Sequence, residues 1–171
     1  MDYKIHNIDL LDITKIFDVY QNGTENSGDS IYNKFDKRID KKTYRTDLVN
    51  AHTFFCDLNN KDLVDIISKY ITLNKNEYIS NIHYINYERG QSALPHVDTG
   101  SSIRTYIFML SNNYTGGQFF LNNLHIPLQI GDMIEFNANL VHSVSEVENG
   151  NREVLVIWVK HSNKNKTSLI W

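Results

Sequence analysis

Arg152-Glu153-Val154-Leu155-Val156-Ile157-Trp158-Val159-Lys160 is the stretch on which the reading of the fold turns. Side chains alternate across an extended chain. Arg152, Val154, Val156 and Trp158 therefore share one face, and Glu153, Leu155, Ile157 and Val159 the other. Both faces are largely apolar, which is the mark of a strand covered on both sides, as in a sandwich. An arginine directed into such an interior needs an anionic partner. Glu135, Glu146 or a bound carboxylate could supply it.

Upstream of this strand the chain reads as further short strands. They are Tyr78 to Tyr87, Ile103 to Leu110, Gln118 to Leu121, Met133 to Asn137 and Val141 to Val147. Turn residues separate them at Asn112-Asn113, Gly116-Gly117, Asn122-Asn123, Gly131-Asp132 and Asn149-Gly150-Asn151. Short strands at regular spacing predict an antiparallel sandwich or jelly roll. Before residue 77 the period changes. Ile8 to Tyr20 and Asn60 to Asn74 carry apolar residues at helical spacing, with Asp57 or Asn59 as the expected cap of the second helix. Between them, residues 21–47 are turn-rich and then charged, read as surface loop with a lid as the functional alternative. One domain is expected, with helices and loop over 1–76, a β core over 77–161 and a tail over 162–171.

Composition narrows the class. At 41% hydrophobic and 12% aromatic residues the chain is globular, not disordered. A net charge of −3 without a dense Lys/Arg stripe argues against nucleic acid as partner. The single cysteine, Cys56, has no intrachain disulfide partner and reads as a packing residue. The first residues lack a basic segment followed by an apolar one, and no apolar stretch approaches a membrane span. A cytoplasmic protein is expected, and the abundance of Asn and Ile suggests an AT-rich bacterial genome or a virus-infected host cell.

Within the β region stand His96-Val97-Asp98, then His142 44 residues after Asp98, then Arg152 ten residues after that. His-x-Asp/Glu alone is weak, since a chain of this composition yields roughly 0.8 such matches by chance. The weight lies in order, separation and strand context together. Residues two apart on an extended segment project to one side, so His96 and Asp98 can reach a common ion. Two histidines and one carboxylate with positions left open are the donor set of non-haem Fe(II) oxygenases. Arg152 offers a fork that binds one end of a dicarboxylate bidentately. The competing reading makes both histidines ordinary hydrogen-bonded residues and Arg152 half of an ion pair. His6, His52, His83, His125 and His161 belong to no motif and are read as surface or core residues.

With these residues in place, the sequence resembles the prolyl 4-hydroxylase-like branch of the Fe(II)/2-oxoglutarate dioxygenases over about residues 78 to 161. The matching segments are Tyr87-Glu88-Arg89-Gly90-Gln91, His96-Val97-Asp98, Tyr114-Thr115-Gly116-Gly117-Gln118, Gly131-Asp132-Met133-Ile134-Glu135-Phe136, and His142 through Arg152. The resemblance implies a double-stranded β-helix, a cupin-like jelly roll. It implies iron at His96, Asp98 and His142, and 2-oxoglutarate held at its far carboxylate by Arg152. Tyr87, and by strand position Thr105 or Tyr106, are further candidates for the cosubstrate. Trp158, six residues after Arg152, is expected to line the cavity, with Arg104 and Tyr114 as other substrate contacts. O2 is the oxidant, ascorbate the expected reductant, and succinate and CO2 the expected by-products.

The resemblance favours a prolyl residue in a peptide or protein as substrate. The same core serves free amino acids, other side chains, metabolites and modified nucleobases, so fold does not fix the substrate. A cupin-type module with a non-redox metal, consuming no 2-oxoglutarate, is the reading from a different class.

Overall fold

The computed structural model describes residues 2–25, 32–33, 48–49, 52–56, 58–98 and 102–162, with side chains over 2–19, 58–98 and 102–162. The chain opens on a short strand β1 (Tyr3–Asn7) and a helix α1 (Leu10–Glu25). Three short strands follow, β2 (Tyr32–Asn33), β3 (Leu48–Val49) and β4 (His52–Cys56), and then the helix α2 (Lys61–Ile67). The remaining strands are β5 (Glu77–Tyr87), β6 (Ser92–His96), β7 (Ser102–Met109), β8 (Tyr114–Gly116), β9 (Phe119–Leu121), β10 (Leu124–Ile126), β11 (Asp132–Asn137), β12 (His142–Val144), β13 (Val147–Gly150) and β14 (Arg152–His161).

Strands β1-β11-β7-β14-β5-β4-β2 form one antiparallel sheet, and β10-β9-β12-β6-β3 a second. A two-stranded unit, β13-β8, joins them at one end. This is the predicted jelly roll. The large sheet is covered on both faces, as the β14 sequence requires. On one face Leu155, Ile157 and Val159 pack with Tyr84, Tyr106 and Phe108 against Ile13 and Ile16 of α1 and Leu63 and Ile67 of α2. On the other, Val154, Val156 and Trp158 pack with Ile85, Tyr87, Ile107 and Met109 against Phe119, Leu121 and Val144 of the small sheet.

A polar clamp joins α1 to the turn that follows α2. Asp12, buried on α1, accepts from Lys69 Nζ at 2.8 and 2.9 Å and from the Tyr70 hydroxyl at 2.7 Å. These hydrogen bonds, from Lys69 first and then Tyr70, hold the Asp12 carboxyl below its ordinary range.

Several boundaries differ from the sequence reading. The second helix was expected over Asn60 to Asn74 but ends at Ile67, and Asn60 caps it, its Oδ1 accepting from Leu63 N at 2.7 Å. Tyr70 is drawn to Asp12 and Ile71 into the core, which turns the chain out of the helix. The expected strand Val141 to Val147 is two strands, because Ser145 N donates across to Gln118 O and the chain passes from β12 in the small sheet to β13. β1 is mostly exposed and pairs with β11 through its backbone, so it carries no apolar alternation to read. The Cys56 side chain and nearly all of 26–47 lie outside the described residues, and the lid reading with them. Among the described residues no helix is long and apolar enough to cross a membrane.

Candidate metal and keto-acid site

His96 and His142 face each other as direct partners of the antiparallel pair β6 and β12. The next pair is Ala93 with Val144, so three residues of β6 span what two span on β12. That extra residue is a β-bulge at Leu94-Pro95. Without it, strict alternation would send Ala93 and His96 to opposite faces. With it, Ala93 enters the inter-sheet core, Leu94 stays exposed, and His96 turns towards His142, the ring centroids 4.2 Å apart.

Both imidazoles are oriented in the same way. His96 Nδ1 lies 2.7 Å from Leu94 O, and His142 Nδ1 lies 3.0 Å from Leu140 O. A carbonyl oxygen only accepts, so each Nδ1 carries the proton and each Nε2 presents its lone pair. Asp98 follows β6, its N–H donating to Ala138 O at 2.9 Å. Its oxygens stand 3.9 Å from His96 Nε2 and 3.7 Å from His142 Nε2. The buried Thr105 hydroxyl donates to Asp98 Oδ2, holding the carboxylate in place.

The three donor atoms lie within 4.8 Å of one another. An ion bound at roughly 2.1 Å brings neighbouring ligands to about 3 Å. Closing this set onto a metal therefore requires side-chain shifts below about 1 Å. The residues fit a first-row divalent ion on one side and leave its other positions open.

The β14 register carries the site inwards. Trp158 lies opposite Thr105 on β7 and Asn81 on β5, Val156 opposite Ile107 and His83, Val154 opposite Met109 and Ile85, and Arg152 opposite Tyr87. The metal side and Arg152 are thus at two ends of one interior face, separated by the apolar rows of Val154 and Val156.

Arg152 is 1% exposed. Its guanidinium carbon sits 5.3 Å above the Tyr87 ring, and Nη2 lies 3.6 Å from Met109 Sδ. Its Nε has no hydrogen-bond partner, and no carboxylate pairs with it among the described residues. Glu135 instead takes Arg104 at 3.2 Å and faces His6 at 3.4 Å, while Glu146 is exposed. A buried guanidinium without a counter-charge is costly, and an incoming carboxylate removes that cost. Gly117 makes room for the Arg152 stem: at φ +58° a Cβ there would come 3.0 Å from Arg152 Cδ. A cavity of about 320 Å³ adjoins Arg152, Met109, Tyr114 and Phe119.

The other candidates separate by strand parity. Tyr87 and Trp158 face the interior, and Tyr114 borders the Arg152 cavity. Thr105 faces inwards too, but its partner is Asp98. Arg104 and Tyr106 are corrections. They alternate with Thr105 and point to the helix side, Arg104 bridging Glu77 and Glu135, and Tyr106 packed beneath the helices. Burial first, then Glu135, pushes the Tyr106 hydroxyl up to about 12. Met109 and His83 were not singled out in the sequence. His83 stands edge-on to Trp158 at 4.6 Å, and counting back in twos from Tyr87 places it on the interior face.

An open two-histidine, one-carboxylate set in a jelly roll, with an unpaired arginine deeper in the same interior, fits the donor set of a non-haem iron oxygenase and a place for a carboxylate-bearing cosubstrate. Residues 82–160 match the family described as the 2OG-Fe(II) oxygenase superfamily. Over those residues the chain resembles the 2OG-Fe(II) oxygenases, whose members use Fe(II), 2-oxoglutarate and O2, and the histidine–aspartate–histidine set fits that iron chemistry.

The fold recurs in a viral collagen prolyl hydroxylase from Paramecium bursaria Chlorella virus-1, at TM-score 0.67 and 13% identity over 93% of this chain and 96% of that one. It recurs in a Trichoplax adhaerens prolyl hydroxylase solved with a fragment of the hypoxia inducible factor oxygen degradation domain, at 0.64 and 16% over 94% and 84%. It is also that of SnoN, a non-heme alpha-ketoglutarate-dependent epimerase from nogalamycin biosynthesis, at 0.66 and 10% over 94% and 78%. No curated protein sequence matches the chain.

Proposed function

We propose that the protein hydroxylates an unactivated C–H bond of a prolyl residue in a peptide or protein, with His96, Asp98 and His142 holding Fe(II) and Arg152 holding the far carboxylate of 2-oxoglutarate. The observation that carries the cosubstrate assignment is the buried, unpaired guanidinium of Arg152 on the interior face that also bears Thr105, the partner of Asp98. Bound Fe(II) with the keto acid supplies the oxidising chemistry, coupling decarboxylation to oxygen insertion.

The chain's own residues do the rest. Leu94 O and Leu140 O hold each Nδ1–H, so in the neutral ring it is Nε2 of each histidine that presents its lone pair to the metal. Thr105 fixes one oxygen of Asp98, which favours one-oxygen ligation and keeps positions free for the keto acid and O2. Val154, Val156 and Ile107 keep the space between metal and Arg152 dry, which strengthens the carboxylate–guanidinium attraction. Trp158, on the metal row, is positioned to flank the substrate.

Support for a prolyl substrate comes from the two structural relatives named as prolyl hydroxylases and from the six-residue step between Arg152 and Trp158. The similarity to an epimerase keeps a small-molecule substrate as the second reading. The test is mass spectrometry of proline-containing peptides incubated with protein, Fe(II), 2-oxoglutarate, ascorbate and 18O2. One labelled oxygen on proline, lost in Asp98→Ala, is expected. Succinate released with every proline peptide left unlabelled would overturn the prolyl assignment.

A further inference from the structure

We propose that Met109 sets the length of keto acid the enzyme accepts, and that the site takes a six-carbon 2-oxo dicarboxylate, 2-oxoadipate, as well as 2-oxoglutarate. This rests on the reading of Arg152 as the carboxylate anchor. The hydrogen-bond acceptor beside the guanidinium is the Met109 thioether, 3.6 Å from Nη2. A thioether accepts weakly and offers no donor, so it adds no second hydrogen bond that would fix where the carboxylate stops. Methionine is also unbranched, with three rotatable bonds, and yields to a larger neighbour more readily than a branched or aromatic side chain does.

Two further observations give the movement a direction. The Arg152 stem is confined on the Gly117 side, where even a methyl group would come within 3.0 Å of Cδ. The strands beside it are close-packed, with Val154 and Ile134 at 1% and 0% exposure. Met109, in contrast, borders the cavity of about 320 Å³ that Ser111, Asn112, Leu128 and Gln129 also line. Its side chain can therefore move out of the line between Arg152 and the metal without opening a void in the core. A longer keto acid keeps both end contacts, and the added methylene occupies the space the thioether leaves.

The test is an anaerobic titration of the Fe(II) protein, following the visible absorption of the iron-chelated keto acid, with 2-oxoglutarate and 2-oxoadipate in parallel. Thermal midpoints of the Zn(II)-loaded protein with each acid give a second readout. Both acids are expected to bind, with midpoints within about ten-fold of each other. Met109→Phe puts a rigid ring in place of the thioether. Asn112→Trp fills the cavity from its exposed rim and leaves Met109 intact. Each is expected to raise the 2-oxoadipate midpoint at least about ten-fold relative to that of 2-oxoglutarate. Binding of 2-oxoglutarate but not 2-oxoadipate by the wild type, or a ratio that neither variant changes, overturns the proposal. Failure of 2-oxoglutarate itself to bind would overturn the Arg152 reading beneath it.

Discussion

Thr105→Val replaces a hydroxyl by a methyl group of nearly the same volume. In the structure that hydroxyl donates to Asp98 Oδ2, and both groups are buried, Thr105 at 0% and the Asp98 side chain at 7% exposure. Water cannot readily replace the lost donor there. A hydrogen bond to a charged group contributes about 1.5–3 kcal/mol. Part of that is lost in the metal-free protein as well, because the Thr105–Asp98 hydrogen bond is already present there. The share that reaches metal affinity is the cost of letting the carboxylate rotate, and partners of metal ligands typically contribute about 10–100-fold. Co(II) titration followed by its visible spectrum reads this directly, with thermal unfolding of the metal-free protein as a check on folding. Thr105→Val should weaken Co(II) binding by about 10–100-fold and Thr105→Ser should restore most of it. A valine variant that binds Co(II) within about two-fold of wild type would refute the role given to Thr105.

Arg152→Met should raise the thermal stability of the keto-acid-free protein, by roughly 1–4 kcal/mol if the buried unpaired charge costs what such groups usually cost, while abolishing stabilisation by 2-oxoglutarate. A simple loss of stability in differential scanning calorimetry would mean that Arg152 is satisfied already. Asp12→Asn should cost roughly 1–3 kcal/mol at neutral pH, read by urea denaturation. Because the Asp12 carboxyl is held low in the folded state, its contribution is present above the ordinary value of about 3.9 and is lost as pH falls through the folded value. The gap between variant and wild type should therefore narrow below about pH 4, and a constant gap would contradict the clamp. Arg104→Gln, breaking contacts to Glu77 and Glu135 on the helix side, should lower the unfolding midpoint and leave keto-acid affinity unchanged.

The metal set was legible because its chemistry needs few residue types in a fixed order, and β14 because two apolar faces on one strand leave little choice of fold. Assigning Arg104 and Tyr106 to the interior failed for a definite reason. On a strand apolar on both faces, composition does not say which parity looks inwards, and Thr105 fixes it only once its bond to Asp98 is seen. The bulge at Leu94-Pro95 was hidden because it is defined by what β12 does opposite it. Met109 beside Arg152 is likewise a property of pairing between strands distant in sequence, whereas the backbone acceptors of both histidines are local, two residues upstream, and depend on side-chain rotamers that no sequence pattern states. The short exposed β1 leaves no apolar trace at all.

The most direct measurement is anaerobic addition of Fe(II) and then 2-oxoglutarate to the metal-free protein, watching for the visible charge-transfer band of a chelated keto acid. The account predicts a band in the wild type, none in Asp98→Ala, and one reached only at much higher 2-oxoglutarate in Arg152→Ala. A folded wild-type protein that binds Fe(II) and gives no band, or a band indifferent to Arg152, would contradict it.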